Sequence, residues 1–187
     1  MKFTQSWRCT ELLNKFCFKH KNKSNIHFLE IGAYEGKTTT LLADKFCNGE
    51  NSSVDVIDPW EEYWDAPNIE QAYENFKYNI QNFDNINVYK GKSQDILPWI
   101  ALRTTNRYDM IYIDGDHTEE STYMDLKFSY PLLKDGGVII VDDYTDETLP
   151  GIKIGVDNWI KSQNLLAKGY PTPFKLFTGD RQFAIQK

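Results

Sequence analysis

The chain has 187 residues, 41% hydrophobic and 14% aromatic, which is enough for one domain with a real core and too apolar for a disordered tail protein. Its formal charge of -6 argues against a general affinity for nucleic-acid phosphates or anionic membrane surfaces and points to small or neutral partners. Cys9, Cys17 and Cys47 are odd in number and lack metal-ligand or CxxC spacing, so they read as reduced thiols; no apolar run approaches a membrane span, and the amino terminus lacks a signal-peptide core, so the expectation is a cytoplasmic chain that starts at Met1.

Residues from Gln5 to Lys21 place Trp7, Leu12, Leu13, Phe16 and Phe18 at helical spacing, which predicts a packing helix on the sheet edge or over the site. A Lys- and Asn-rich turn follows. Ile26 to Ile31 is the first strand, and Gly32-Ala33-Tyr34-Glu35-Gly36 turns it into a helix starting near Lys37. A glycine-bearing loop between strand and helix lets backbone approach a ligand, and the helix start offers unpaired N–H groups. A dinucleotide fingerprint requires G-x-G-x-x-G, but position 34 is Tyr. A P-loop requires four residues between its first glycine and Gly-Lys-Thr, and here there are three. A plain structural turn is the remaining alternative on the residues alone. Glu30, Gly32 and Gly36 match in type and spacing the E-x-G-x-x-x-G loop of class I S-adenosylmethionine-dependent methyltransferases, which the segment resembles.

Val54 to Asp58 is the next strand, and a carboxylate at its end can accept both ribose hydroxyls of a nucleoside. Asp58 also fits a turn acid ahead of Pro59. Trp60, Tyr63 and Trp64 lie in an acidic loop, either as a cover for the cofactor and acceptor or as core anchors. A helix is predicted from about Asn68 to Phe83 and a third strand over Ile86 to Tyr89, ending in Gly91-Lys92-Ser93-Gln94-Asp95.

The centre of the sequence runs from Tyr108 to Tyr144. Tyr108 to Ile113 is a buried strand ending in Asp114-Gly115-Asp116-His117; a helix follows from Thr118, with Glu119 and Glu120 in its first turn and an apolar stripe through Leu133, and Gly136-Gly137 are expected to stop it. Val138 to Val141 is a strand that closes on Asp142-Asp143. Strand, crossover helix and strand imply two parallel neighbours with both carboxyl ends on one edge, so Asp114, Asp116, His117, Asp142 and Asp143 should converge. Three carboxylates brought together repel unless protonated or bridged by a cation, and hard oxygen ligands suit Mg²⁺. A helix over Gly151 to Gln163, a Gly-Pro connection and a hairpin of Phe174–Phe177 with Gln182–Ile185 complete the chain.

From about Asn25 to the end the sequence resembles a class I methyltransferase. I-D-G-D-H-T followed by D-G-G-V-I-I-V-D-D-Y resembles the metal-dependent O-methyltransferases, among them the macrocin-type and other sugar O-methyltransferases, and is similar in plan to the catechol O-methyltransferases. The resemblance implies an α/β, Rossmann-like doubly wound sheet of strand order 3-2-1-4-5-7-6 with a C-terminal antiparallel β-hairpin. It implies one domain over 1–187, with residues 1–24 as the packing helix and 25–187 as the core. It implies S-adenosyl-L-methionine at Glu30, Gly32, Ala33, Tyr34, Gly36, Asp58, Ser93, Gln94 and Asp114. Asp114, Asp142 and Asp143 take the positions of ligands to Mg²⁺ or another divalent cation, which lowers the pKa of a substrate hydroxyl. His117 lies where relatives carry a general base; Asp116 is the competing base and also fits a helix cap. His20 and His27 read as structural.

The expected activity is O-methylation of a hydroxylated small molecule such as a sugar, a nucleotide sugar or a glycan end, with no nucleic acid or membrane partner. The alternative is a non-catalytic member of the fold that binds a nucleoside-like ligand or serves as a partner subunit. The short amino-terminal region leaves little material for a lid, which suits an exposed acceptor or a site completed in a homo-oligomer.

Overall fold

The computed structural model describes residues 1–4, 10–61, 68–105, 107–166 and 174–187, with the side chain of Leu165 left aside. Expectations that involve Trp7, Cys9, Tyr63, Trp64 or the Gly-Pro connection before the hairpin lie outside the described residues.

Seven strands form one sheet in the order β3-β2-β1-β4-β5-β7-β6: β1 (His27–Ile31), β2 (Ser53–Asp58), β3 (Ile86–Lys90), β4 (Tyr108–Ile113), β5 (Leu133–Val141), β6 (Lys175–Gly179) and β7 (Gln182–Gln186). The first five are parallel, and β7 runs antiparallel to both β5 and β6. Among the described residues the α-helices are α1 (Glu11–Cys17), α2 (Lys37–Lys45), α3 (Ile69–Ile80), α4 (Ser93–Ala101), α5 (Glu119–Ser129) and α6 (Pro150–Leu166). Period-2 alternation along the strands divides the apolar side chains between two faces. Phe28, Val54, Val56, Met110, Tyr112 and Ile140 pack under α1, α2 and α3, while Leu29, Ile57, Ile111, Ile113, Ile139 and Ile185 pack under α4, α5 and α6. Among the described residues, no helix is long and apolar enough to cross a membrane.

One local expectation changes, one helix is added, and the place of another is decided between its alternatives. The helix begun at Glu119 ends at Ser129, followed by a 3-10 turn over Tyr130–Leu132, rather than at the glycine pair. Pro131 has no N–H to donate back to the preceding turn, and that ends the helix early. Gly136 and Gly137 instead lie inside β5, in an irregularity where Tyr108 faces Leu133 but Met110 faces Val138. The segment opening with Ser93, for which the sequence reading named no element, is a helix. Pro98 in its interior works against a helical reading of the sequence, yet Ile96, Leu97, Ile100 and Ala101 form a stripe that packs on the second face of the sheet. Burial of that stripe, at roughly 1.5–3 kcal/mol for each fully buried large side chain, outweighs the missing hydrogen bond. Helix α1 lies against β5, β6 and β7 rather than over the cleft, with Phe16 edge-on to Phe177 at 5.1 Å between ring centroids.

The bland readings of the histidines and thiols agree with the structure. His20 stacks edge-on to Phe28, and burial pulls its imidazole down to about 4; His27 Nδ1 is 3.0 Å from the Ser53 hydroxyl. Cys17 and Cys47 are buried, and burial raises both thiols far enough to leave them protonated and unreactive.

Candidate functional site

The ladder registers bring the loops of the site to one level. Ile31 faces both Ile57 and Ile113, and Ile113 faces Val141, so β1, β2, β4 and β5 reach one edge together. Each ladder gains one further rung there: Gly32 N donates to Ile57 O (2.9 Å), Asp114 N to Ile31 O (2.8 Å) and Asp142 N to Ile113 O (2.9 Å). Gly32, Asp58, Asp114 and Asp142 therefore surround one cleft of about 930 Å³, a volume in the range of small-molecule sites.

At the glycine-loop end, Gly32 has φ +83°, and a Cβ placed there would lie 1.9 Å from the carbonyl oxygen of Asp114. The glycine thus allows close approach of its own loop to the β4 turn. Asp58 holds the loop shut: its Oδ2 accepts from Ala33 N (2.7 Å) and Tyr34 N (3.0 Å), and its Oδ1 from Trp60 N (2.7 Å). Burial raises its pKa, and these three backbone donors oppose the shift. A carboxylate has about four acceptor positions, so one remains on Oδ1 beyond those the backbone occupies. Trp60 is a core anchor, donating from Nε1 to Tyr34 O (2.8 Å) and packing on Tyr73 and Phe76.

Glu30 lines the same cleft and is 1% exposed. Burial pushes its carboxyl up to about 8; the Thr39 hydroxyl, donating to Oε2, counters the shift, and Asp114 and Asp58 add to it. Its Oε1 is buried with no hydrogen-bond partner among the described residues. An orphaned acidic oxygen in a cleft fits a cationic ligand group.

Ser93 and Gln94 begin α4 and line the cleft opposite the glycine loop. Gln94 Nε2 donates to Ser121 Oγ (3.1 Å), and Ser121 Oγ donates to Asp116 Oδ2 (2.8 Å). Asp116 also accepts from Thr118 N and the Thr118 hydroxyl, both at 3.2 Å, while Thr118 itself caps α5. The carboxylate of Asp116 is thus engaged in building the helix start.

At the acidic end, ligand atoms of Asp114, His117 and Asp143 all lie within 4.8 Å of one another, and His117 Nε2 is 3.7 Å from Asp114 Oδ1. Asp142 lies beside this group, where the Tyr112 hydroxyl donates to its Oδ2 (2.5 Å) and its Oδ1 is buried without a hydrogen-bond partner among the described residues. Burial, then Asp114, push Asp142 up to about 7, and Asp143 adds to this. Asp143 is likewise raised by burial and Asp114, and Arg181 and His117 pull it back. Two raised carboxyls beside a third, an orphaned oxygen and a neighbouring imidazole form a donor set that suits a hard divalent cation.

Four contributors were missed in the sequence, three of them without any local signal. Tyr112 is an ordinary strand residue until β4 lies beside β5. Gln182 is fully buried and donates to Tyr112 Oη (3.2 Å), and Arg181, on the hairpin turn, pairs with Asp143. Gly151 lets α6 pack where a Cβ would lie 2.5 Å from His117 O, which fixes the backbone of the histidine. A Gly151-x-x-x-Gly155 pair on one helix face was the available clue to that close packing.

A methyltransferase-domain family profile matches residues 29–144. An uncharacterized protein of Acanthamoeba polyphaga mimivirus is 30% identical over 66% of this chain and 54% of its own length, and an O-methyltransferase of Aspergillus hancockii is 30% identical over 63% of this chain and 42% of its own. The chain thus spans about half the length of these curated relatives. Among solved structures, the MycE methyltransferase of the mycinamycin biosynthetic pathway, in complex with Mg and SAH, superposes with a TM-score of 0.65 at 16% identity, over 95% of this chain and 49% of its own. The O-methyltransferase NovP superposes with a TM-score of 0.67 at 21% identity, over 95% and 78%.

Proposed function

The chain belongs to the methyltransferase-domain family, and on that premise we propose that residues 1–187 act as one S-adenosylmethionine-dependent O-methyltransferase domain, with a divalent cation, on a hydroxyl of a sugar or another small molecule. The observation that carries this reading is the level convergence of four strand ends on one cleft, with the glycine loop and Asp58 at one end and Asp114, Asp142 and Asp143 at the other.

S-adenosylmethionine supplies a methyl group activated on a sulfonium. Glu30 Oε1 offers the buried acceptor for an ammonium, Asp58 keeps the loop closed and accepts a ribose hydroxyl at the position left on Oδ1, and Ser93 and Gln94 face the base. A divalent ion held by Asp114, Asp142 and Asp143 would supply a Lewis acid that makes an acceptor hydroxyl more acidic. His117, beside Asp114, accepts the hydroxyl proton; Asp116, committed to the start of α5, holds the loop that carries the histidine. Thr148 and Leu149 border the acidic half and supply acceptor contacts. Fixing oxygen, carbon and sulfur in line supplies much of the acceleration, so the demand on the protein is chiefly positional.

The test is calorimetric titration of S-adenosylmethionine into wild type and Asp58→Ala, with Mg²⁺ and with chelator. Binding by wild type and its loss in Asp58→Ala is the expected result. Absence of binding to folded wild type under both conditions rejects the methyltransferase reading in favour of a non-catalytic member of the fold.

A further inference from the structure

The acidic half of the cleft carries its own cation. Arg181 stands on the turn joining β6 and β7, and its Nη2 reaches Asp143 Oδ1 at 2.6 Å and also contacts Asp146 Oδ2. Sheet register dictates that position. In the β5–β7 ladder Val138 faces Gln186 and Val141 faces Phe183, so continuing the antiparallel count sets Asp142 against Gln182 and Asp143 against Arg181. Both members of the acid pair are therefore met from the hairpin: Asp142 through Gln182 and Tyr112, and Asp143 by a charge.

We propose that Arg181 is a built-in counter-cation for the divalent site: its guanidinium bridges Asp143 and Asp146 while no ion is bound, and it gives up Asp143 and keeps Asp146 when an ion takes the Asp143 carboxylate. The inference rests on the divalent-ion reading above and adds to it a residue that sets ion affinity. Asp143 has a side chain only 5% exposed and stands near Asp114, and an uncompensated buried carboxylate pair is strongly unfavourable. Arg181 is 42% exposed and meets solvent on one side. Asp146 already pairs with the same Nη2 through Oδ2, and Thr148 N (2.8 Å) and the Thr148 hydroxyl (2.6 Å) hold its other oxygen in place. A guanidinium and a divalent ion on one carboxylate repel each other at a few ångströms, so occupancy by one weakens the other. The ion-free site consequently does not fly apart, and the ion binds less tightly than three bare carboxylates would hold it.

Calorimetric titration of Mn²⁺ into wild type, Arg181→Gln, Asp146→Asn and the double variant tests this, together with melting temperatures measured in chelator. Arg181→Gln is expected to bind Mn²⁺ about tenfold tighter, as removal of one nearby positive charge in a partly solvated site predicts, while melting lower without the ion. Asp146→Asn is expected to bind about threefold more weakly, because Arg181 loses its alternative partner, and that loss should vanish in the double variant. Unchanged or weaker Mn²⁺ binding by Arg181→Gln overturns the proposal. If that variant does not fold, unchanged or tighter binding by Asp146→Asn overturns it equally. Failure of every protein, wild type included, to bind Mn²⁺ removes the divalent site itself and the proposal with it, whereas binding by wild type with no response to either substitution removes only the role of Arg181.

Discussion

Replacing Gly32 by alanine separates the two demands made on that residue, a left-handed backbone and a close approach to the β4 turn. With φ at +83°, an alanine carries a conformational cost of about 1–2 kcal/mol. Its Cβ would also lie 1.9 Å from Asp114 O and 2.5 Å from Asp114 C, atoms of backbone that cannot rotate away. Relief requires Asp114 to shift against the rung it makes with Ile31 O (2.8 Å), adding about 1 kcal/mol for the weakened hydrogen bond and about 1–3 kcal/mol of overpacking. The expected total is about 3–6 kcal/mol. Gly136 provides the control, with φ +78° and nothing within 4 Å of a Cβ, so Gly136→Ala should lose only the backbone term of about 1–2 kcal/mol. Urea unfolding of both variants measures the difference, and Mn²⁺ titration reads the displacement of Asp114, with more than about tenfold weaker binding expected in Gly32→Ala and none in Gly136→Ala. Equal stability losses in the two variants would refute the close-approach argument and leave only the backbone conformation.

The remaining predictions concern charge and hydrogen bonding around the cleft. Asp58→Asn turns one acceptor oxygen into a donor facing backbone N–H groups, so it should weaken S-adenosylhomocysteine binding and cost about 1–3 kcal/mol, read by calorimetry and urea unfolding. Asp125 is 2% exposed, and burial pushes its carboxyl up to about 7, a shift eased by its bond to Ser93 and increased by Asp116. Against an unfolded value of about 3.9, the native state holds the extra proton between the two values, so this group's contribution to stability falls as pH rises from about 4 to about 7 and is flat above. Asp125→Asn should therefore be more stable than wild type at pH 8, by up to about 4 kcal/mol, and lose that advantage near pH 4; a constant difference across pH would contradict the linkage. Tyr112→Phe removes a donor that holds down the pKa of Asp142, so the pH at which Mn²⁺ binding is half lost should move up by about one unit, with affinity recovered in more alkaline buffer.

Strand ends, the glycine loop and the acidic turns were legible because each is a local event. Val138-Ile139-Ile140-Val141 is a strand wherever it packs, and Asp142-Asp143 necessarily follow its end. Parallel connection through a crossover helix then obliges Asp114 and Asp142 to share an edge, and the two stand beside each other there. Helix α4 escaped notice because Pro98 speaks against a helix locally, while the core that rewards one is assembled from distant residues.

The partners of the site groups had to wait for the tertiary structure. Asp116 became a helix-start acceptor through Ser121, Asp58 became the clasp of its own loop, and Asp143 acquired Arg181 from a hairpin 38 positions away in sequence. The sequence by itself determined which side chains reach the carboxyl edge, since alternation and chain direction are properties of each segment. Only the tertiary structure decided what each of those side chains faces, because strand order and register set the distances over which hydrogen bonds and charges act.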